Sequence, residues 1–260
     1  MQKPLTRAAI EAALRTHTLG RTGVCLQVTD STNEEAKRRA RADAPDGTLV
    51  TAERQTGGKG RLGRAWASPP GSGLYCTVLL RGSHLPQTAA GVTLLAGVAV
   101  CRTLREDCGA DARIKWPNDV VIASKKVCGI LAEAGVSAQG PWAVVGIGIN
   151  FDNEDFPPAL AARATSLLLA TGRPHSRCGV LCGLLQRLET LLEAGAGLPA
   201  DYKPLCVSLG RRVGFTRNGH SGAGTAVDVS ASGALVVELP GGGRTEISSG
   251  EVTVQGIYGE

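Results

Sequence analysis

The segment that decides between fold classes is residues 55–66, Gln-Thr-Gly-Gly-Lys-Gly-Arg-Leu-Gly-Arg-Ala-Trp. They carry the pattern Gly-x-Gly-x-x-Gly directly after a predicted strand, as a dinucleotide-binding loop does. That loop must open a helix, however, whereas the chain continues with Trp66-Ala-Ser-Pro-Pro-Gly-Ser-Gly. A P-loop is excluded too, because no Gly-Lys pair is followed by Ser or Thr. We therefore expect neither of these two nucleotide-binding folds.

The same loop lies in a region of uneven charge. The net charge is only +5, yet residues 54–105 hold seven Arg or Lys and no Asp or Glu. Four of these cations, Arg54, Lys59, Arg61 and Arg64, stand among the glycines. Backbone N–H groups and fixed positive charge in one loop suit a phosphate or a carboxylate. Composition alone leaves a solvated basic loop as an equal alternative.

Composition predicts an ordinary globular chain with reduced cysteines. Of 260 residues, 43% are hydrophobic and 20% charged, which is enough apolar material for a core. No apolar stretch approaches the ~20 residues that cross a bilayer, and the N-terminus has no apolar signal core, so we expect a cytoplasmic protein without membrane contact. Eight cysteines without a Cys-x-x-Cys pair predict buried thiols rather than disulfides or zinc.

Hydrophobic periodicity predicts an α+β fold with a mixed sheet for residues 1–206. The helix that starts at Asp30 is expected to carry a capping box, formed by Ser31 or Thr32 with Glu34 or Glu35. Further helices are predicted over 6–17, 88–105 and 176–194, and strands over 24–28, 48–53, 73–80, 113–115, 120–122, 127–134 and 142–150.

The character of the chain changes near residue 206. From Arg211 onward, short β-branched segments alternate with turns at Asn218-Gly219, Ser232-Gly233 and Gly241 to Gly243. This pattern predicts a small all-β unit built from hairpins. We expect two domains, residues 1–206 and 207–260, the second being a small β-barrel.

Three more short motifs carry chemistry. They are Lys115-Trp-Pro-Asn-Asp119, Lys126 at the start of a strand, and Gly146-Ile-Gly-Ile-Asn150. Each has an ordinary explanation: a β-turn, an edge lysine, and a strand that something approaches closely. Separately, each motif is weak evidence of function.

Together and in this order, with Ser31-Thr-Asn33 and residues 55–66, these motifs resemble the biotin protein ligase family, also called biotin–[acetyl-CoA-carboxylase] ligases. The resemblance covers about residues 25 to 255. It implies a mixed-sheet catalytic domain of the biotin/lipoate protein ligase type with a C-terminal SH3-like β-barrel.

The resemblance also implies a reaction. Members of the family join biotin to ATP, giving biotinyl-5′-adenylate and pyrophosphate, and then pass the biotinyl group to one lysine of a carrier domain. The implied cofactors are ATP and Mg²⁺, the Mg²⁺ being carried by ATP rather than by protein ligands. The implied partner is the biotin carboxyl carrier domain of acetyl-CoA carboxylase or a related biotin enzyme. No nucleic acid is expected, and a homodimer is left open.

Site residues follow from the matching positions. The resemblance implies a catalytic role for Lys126, Arg61 and Asp119, because positive groups must neutralise the repulsion between a carboxylate and an α-phosphate. Asp119 is a candidate acceptor for the proton of the incoming lysine. Trp66 and Trp116 are expected as pocket walls. The implied biotin contacts are Ser31, Thr32, Asn33, Gln55, Lys59, Gly60, Arg61 and Lys126; the implied ATP contacts are Gly58, Lys59, Arg61, Trp66, Lys115, Asn118, Asp119 and Asn150.

This chain departs from the family pattern in two places. Some members carry an N-terminal DNA-binding module, whereas only 30 residues precede Ser31 here, so repressor activity is not expected. Lys59 stands where arginine is common, which keeps the charge and loses the planar bidentate fork.

Two rival functions remain. A lipoate–protein ligase or octanoyltransferase shares this fold, although Lys115-Trp-Pro-Asn-Asp119 and the basic loop favour biotin. A nucleic-acid-binding module is the rival of another class. Aromatic residues make up only 3% of the chain, which disfavours it because such modules stack bases on aromatic rings.

Overall fold

The computed structural model describes residues 3–85, 88–195, 197–217, 220–248 and 250–259. The helices are α1 (Arg7–Ala13), α2 (Thr32–Arg41), α3 (Ala89–Glu106), α4 (Pro158–Ala161), α5 (Leu167–Thr171), α6 (Arg177–Glu193) and α7 (Tyr202–Leu205). The strands are β1 (Gly23–Thr29), β2 (Leu49–Gln55), β3 (Gly73–Leu80), β4 (Arg113–Lys115), β5 (Asp119–Ile122), β6 (Lys125–Ser137), β7 (Gly140–Asn150), β8 (Arg212–Arg217), β9 (His220–Val229), β10 (Leu235–Glu238), β11 (Arg244–Ile247) and β12 (Val252–Val254).

The larger sheet has the strand order β1-β2-β3-β7-β6-β5-β4. Strands β1 and β2 pair in parallel, and the other neighbours pair antiparallel. The inner strand β3 is buried at all eight residues, as its mostly apolar sequence predicts. The predicted α+β class with a mixed sheet is confirmed.

Helices cover both faces of this sheet. Helix α3 packs on one face, α6 packs against α3, and both belong to the main core cluster. Helix α2 packs on the other face, where Ala36 and Ala40 meet Val50, Leu79 and Val144. The small residues of α2 bring its first turn close to β7, which positions the pocket described below.

The start of α2 differs from the prediction. Ser31 is the N-cap residue, but its side chain makes no capping hydrogen bond, so the expected capping box does not form. Instead, the backbone N–H of Ser31 donates to Asp30 (2.8 Å) and that of Thr32 donates to Gln55 Oε1 (2.8 Å). Gln55 of β2 thus accepts a backbone N–H of the first helical turn, as an N-cap side chain usually does.

The C-terminal residues form a second sheet, with the strand order β11-β10-β9-β8-β12 and antiparallel pairing throughout. The pairs among the described residues give an open five-stranded sheet. The turn predicted at Ser232-Gly233 is present, and Asn218-Gly219 lies outside the described residues. A domain boundary near residue 206 stays a prediction, since residues of both sheets share one core cluster.

All eight cysteines are free thiols, as predicted. Six of them are buried, and burial raises the pKa of the Cys76 thiol to about 12. Within the described ranges, no helix is long and apolar enough to cross a membrane.

A buried ion pair fastens α6 to the sheet. Arg177, 2% exposed, donates to Glu53 Oε2 (2.9 Å) and to the carbonyl oxygen of Gly73 (3.1 Å). The other oxygen of Glu53 accepts the backbone N–H of Leu5 (2.9 Å). The pair therefore joins α6, two strands and the N-terminal segment.

Replacing Arg177 by Ala should lower the free energy of unfolding by about 3–5 kcal/mol, because the Glu53 carboxylate stays buried without its cation. The measurement is urea unfolding followed by circular dichroism. Arg244→Ala is the matched control: Arg244 is exposed, its partner Glu238 is 3.8 Å away, and the expected loss is below about 1 kcal/mol. Equal losses of unfolding free energy in the two variants would contradict a stabilising role for the buried Arg177–Glu53 pair.

Candidate functional site

One cavity lies where β2, β6 and β7 meet the start of α2 and the glycine-rich loop, residues 56–66. Its free volume is ≈ 50 Å³, room for a few water molecules, because the loop is folded against the sheet. A larger ligand must displace part of the loop. The lining residues are Ser31, Thr32, Asn33, Gln55, Lys59, Gly60, Arg61, Trp66, Tyr75, Asn118, Lys126, Gly129, Ile130, Leu131, Gly146, Ile147 and Gly148. They include every predicted biotin contact.

One end of the cavity, which we call the polar end, is built from neutral hydrogen-bonding side chains. Gln55 Oε1 accepts the Thr32 hydroxyl (3.1 Å), and Gln55 Nε2 donates to Ser68 (2.8 Å). The buried Thr77 hydroxyl lies 2.8 Å from both Thr32 Oγ1 and Asn33 Oδ1. Each polar atom is held by a neighbour, so the set is rigid before a ligand arrives.

Asn33 is fixed by both sheet strands beside it. Its Nδ2 donates to Glu133 (2.8 Å) and to the carbonyl oxygen of Leu131 (3.2 Å). A Cβ atom on Gly146 would lie 2.0 Å from Asn33 Oδ1, so β7 needs glycine at that position. The predicted close approach to β7 is confirmed, and the approaching group is a side chain of α2.

The indole of Trp66 covers the middle of the cavity. A Cβ atom on Gly148 would lie 2.7 Å from the indole, and one on Gly129 would lie 2.8 Å from it. Lys126 Nζ is 5.4 Å from the ring centroid, within cation–π distance. The buried Nε1 of Trp66 has no hydrogen-bond acceptor among the described residues, and an unpaired buried donor is costly, so a ligand acceptor would stabilise it.

Trp116 does not line the cavity, so its prediction as a pocket wall is wrong. Its side chain is 1% exposed within the main core, and its Nε1 donates to the carbonyl oxygen of Gly233 (3.0 Å). It joins the larger sheet to the C-terminal unit. The residues next to Trp116 in the sequence do not distinguish a tryptophan in the core from one in a pocket wall.

The glycine-rich loop is tied to three other parts of the fold. Lys59 forms an ion pair with Glu34 of α2, and Arg64 forms one with Glu251 before β12. Arg61 donates to Asn118 Oδ1 (3.1 Å) and to the carbonyl oxygen of Gly250 (3.4 Å). Burial lowers the pKa of the Arg61 guanidinium, and the charge of Asp119 opposes that shift.

The other end of the cavity, the cationic end, centres on Lys126. Its Nζ lies 2.5 Å from Asp119 Oδ1, and the hydroxyl of Tyr258 donates to Asp119 Oδ2 (2.6 Å). The backbone N–H of Lys126 donates to the carbonyl oxygen of Arg163 (2.8 Å), which fixes the start of β6. Lys126, Arg61 and Asp119, the three predicted catalytic residues, are therefore neighbours.

Four predicted ATP contacts are not among the residues that line the cavity: Asp119, which pairs with Lys126, and Lys115, Asn150 and Gly58. Lys115 is buried, donates to the carbonyl oxygen of Val252 (3.1 Å), and lies 5.0 Å from the ring centroid of Tyr258. Asn150 donates to the carbonyl oxygen of Thr165 (3.1 Å), and the carbonyl oxygen of Gly58 accepts the backbone N–H of Trp66 (2.9 Å). Their contact with ATP stays a prediction.

Sequence reasoning missed the lining residues Tyr75 and Leu131. It also missed four residues that hold the site together: Ser68, Thr77, Glu133 and Tyr258. Thr77 had a usable signal, because a hydroxyl inside the apolar strand Gly73–Leu80 must find a partner when buried. Glu133 and Tyr258 lie 100 and 139 positions in sequence from the groups that they contact. Among the described residues, no group of three or more His, Cys, Asp or Glu side chains is arranged to hold a metal.

Comparisons with known proteins agree with this geometry. Residues 25–150 match the biotin/lipoate A/B protein ligase family, and residues 208–254 match the biotin protein ligase C-terminal domain. The chain is 36% identical over 235 residues to the biotin–[acetyl-CoA-carboxylase] ligase of Mycobacterium tuberculosis, which covers 86% of this chain and 85% of that protein. The chain belongs to the biotin protein ligase family.

Two further relatives extend the comparison. The bifunctional ligase/repressor BirA of Bacillus subtilis is 39% identical over 194 residues, 73% of this chain and 60% of that protein. The chain thus aligns with less than two thirds of that relative's length. The structure of the Aquifex aeolicus biotin protein ligase in complex with biotin and ATP superposes with a TM-score of 0.77 at 31% identity, covering 90% of this chain and 99% of that one.

Replacing Gly148 by Ala should push the Trp66 ring away from the sheet, since the new methyl group would lie 2.7 Å from the indole. The expected result is a red shift of tryptophan emission as the ring becomes solvated, and Trp66→Phe in the same background should abolish the shift. Gly97→Ala is the control, because a Cβ there meets ordinary contacts at 3.7–4.0 Å. An unchanged spectrum for Gly148→Ala would place Trp66 elsewhere.

Proposed function

We propose that this protein is a biotin protein ligase. In this proposal it joins biotin to ATP, giving biotinyl-5′-adenylate and pyrophosphate, and then transfers the biotinyl group to a lysine of a biotin carboxyl carrier domain. The observation that carries the proposal is a single cavity with a neutral, hydrogen-bonding end and a cationic end. Relatives named as biotin ligases support it.

The spacing of the two ends fits biotin. Lys126 begins the cavity wall on β6 and Leu131 ends it beside Asn33, and five residues of strand span roughly 16 Å. That length accommodates a bicyclic head and an extended acyl tail. The neutral ureido group can exchange hydrogen bonds with the polar end, where Ser31, Thr32, Asn33 and Gln55 lie, while the carboxylate meets Lys126.

The cationic end supplies what adenylation requires. A biotin carboxylate oxygen attacks the α-phosphorus of ATP, and the bond from that phosphorus to pyrophosphate breaks. Both reactants are anionic, so Lys126 and Arg61 lower the barrier by neutralising charge that is closest together in the transition state. Trp66 and the loop cover the mixed anhydride and exclude water from it. An unprotonated lysine amine of the carrier then attacks the acyl carbon, and AMP leaves.

The proposal extends to the metal, the partner and the location. Asn118 and Asp119 already have Arg61 and Lys126 as partners, which fits a Mg²⁺ ion held mainly by the ATP phosphates. That ion would neutralise phosphate charge. The proposed carrier belongs to acetyl-CoA carboxylase or a related biotin enzyme, and a homodimer stays open. Eight free cysteines fit the reducing cytoplasm.

The deciding experiment is exchange of labelled pyrophosphate into ATP, with biotin, with lipoate, or with neither acid. We expect exchange that depends on biotin, and Lys126→Gln should lower its rate about 10²- to 10³-fold because a transition-state charge partner is lost. Lys125→Gln is the matched control, since the side chain of this exposed neighbour lies outside the cavity lining and donates to the carbonyl oxygen of Ala161 (3.1 Å). Exchange with lipoate alone would move the chain to the lipoate ligases, and none with either acid would overturn the proposal.

Asp119→Asn should slow transfer to the carrier more than adenylate formation, because an amide cannot accept the proton of the attacking amine. The two half-reactions are measured separately, as pyrophosphate exchange and as single-turnover transfer from preformed adenylate. Equal slowing of both steps would exclude Asp119 as the proton acceptor.

A further inference from the structure

The chain segment after β12 carries a tyrosine to the cationic end of the cavity. Tyr258 lies between Gly256 and Gly259, and the three residues have φ values of 64°, 77° and 77°. Left-handed backbone is normal for glycine and unfavourable for tyrosine, so contacts made by Tyr258 must hold it there.

The backbone of Tyr258 contacts the hairpin that carries the cationic end. Its N–H donates to the carbonyl oxygen of Ser124 (3.0 Å), in the turn between β5 and β6. Asp119 begins β5 and Lys126 lies at the start of β6, so this turn sets the relation between the two. The tail therefore braces the hairpin from outside the cavity.

The side chain of Tyr258 makes a more specific contact. Two cations lie near its ring, with Lys115 Nζ 5.0 Å and the Arg163 guanidinium carbon 5.6 Å from the centroid. Its hydroxyl donates to Asp119 Oδ2 at 2.6 Å, the short distance of a hydrogen bond to a charged acceptor. The other carboxylate oxygen is the one 2.5 Å from Lys126 Nζ.

We propose that Tyr258 is a positioning residue for the reaction, acting on Lys126 through Asp119. By holding one oxygen of the carboxylate, the phenol prevents rotation of the carboxylate plane and keeps the other oxygen on Lys126. The ammonium group is then placed at the cationic end before ligands bind. This inference rests on the proposed function, in which Lys126 acts on the biotin carboxyl and phosphoryl oxygens.

The first test is Tyr258→Phe, which keeps the ring beside its two cations and the backbone hydrogen bond to Ser124 and removes only the hydroxyl. We expect kcat for biotin-dependent pyrophosphate exchange to fall about 10-fold with KM for biotin unchanged, as for loss of a hydrogen bond to a charged group. The thermal midpoint should be unchanged. Tyr202→Phe is the matched control, because Tyr202 is buried and its hydroxyl has no partner among the described residues.

The second test asks whether the effect passes through Asp119. In an Asp119→Ala background there is no carboxylate to orient, so Tyr258→Phe should cause no further loss. A tyrosine that only anchors the tail would slow both backgrounds equally. Equal slowing, a change confined to KM, or wild-type kcat in Tyr258→Phe would overturn the positioning role while the proposed function stands. Absence of biotin-dependent exchange in the wild type would overturn both.

Discussion

Three missing side chains on β6 and β7 are the constraint on which the site depends. At Gly129, Gly146 and Gly148, any Cβ atom would collide with Trp66 or Asn33. Because no side chain stands at these positions, helix α2 and the glycine-rich loop can both close onto the same face of the sheet. Glycine weakens a strand interior, and here the neighbouring strands β3 and β5 on either side restore the pairing. The cavity thus exists because three positions of the sheet carry no side chain.

The two ends of the cavity are prepared in different ways. At the polar end, hydroxyl and amide groups hold one another, so a ligand meets donors and acceptors whose directions are already set. At the cationic end, Lys126 forms an ion pair with Asp119, and Arg61 donates to Asn118. A ligand anion must therefore compete with Asp119 and Asn118 for the two cations. These protein partners allow Lys126 and Arg61 to remain charged in a site of low dielectric constant before a ligand binds.

Sequence reasoning succeeded where the information was local. Helices α1, α2, α3 and α6, the strands of the larger sheet, the glycine-rich loop and the close approach to β7 follow from periodicity, turn residues and small residues within each segment. The short helices α4, α5 and α7 were not predicted. The loop was placed correctly because a missing helix signal after Trp66 excluded the dinucleotide fold. Its catalytic assignment rests on the family resemblance and stays a prediction.

The failures share a physical cause, which is that the deciding contact lies far away in sequence. The capping box at Ser31 does not form because Gln55, on the next strand, supplies the acceptor. Trp116 points into the core because the carbonyl oxygen of Gly233 accepts its indole N–H. Tyr258 could not be found at all, since 139 residues separate it from Asp119.

The ion pairs of the loop differ in their exposure, and this difference makes closure sensitive to ionic strength. The Lys59–Glu34 and Arg64–Glu251 pairs are partly or largely exposed, whereas Lys126 and Asp119 are mostly shielded. Dissolved ions screen exposed pairs over a Debye length of about 8 Å at physiological salt and leave shielded pairs nearly intact. Added salt is therefore expected to loosen the cover of the cavity while the charges beneath it stay paired.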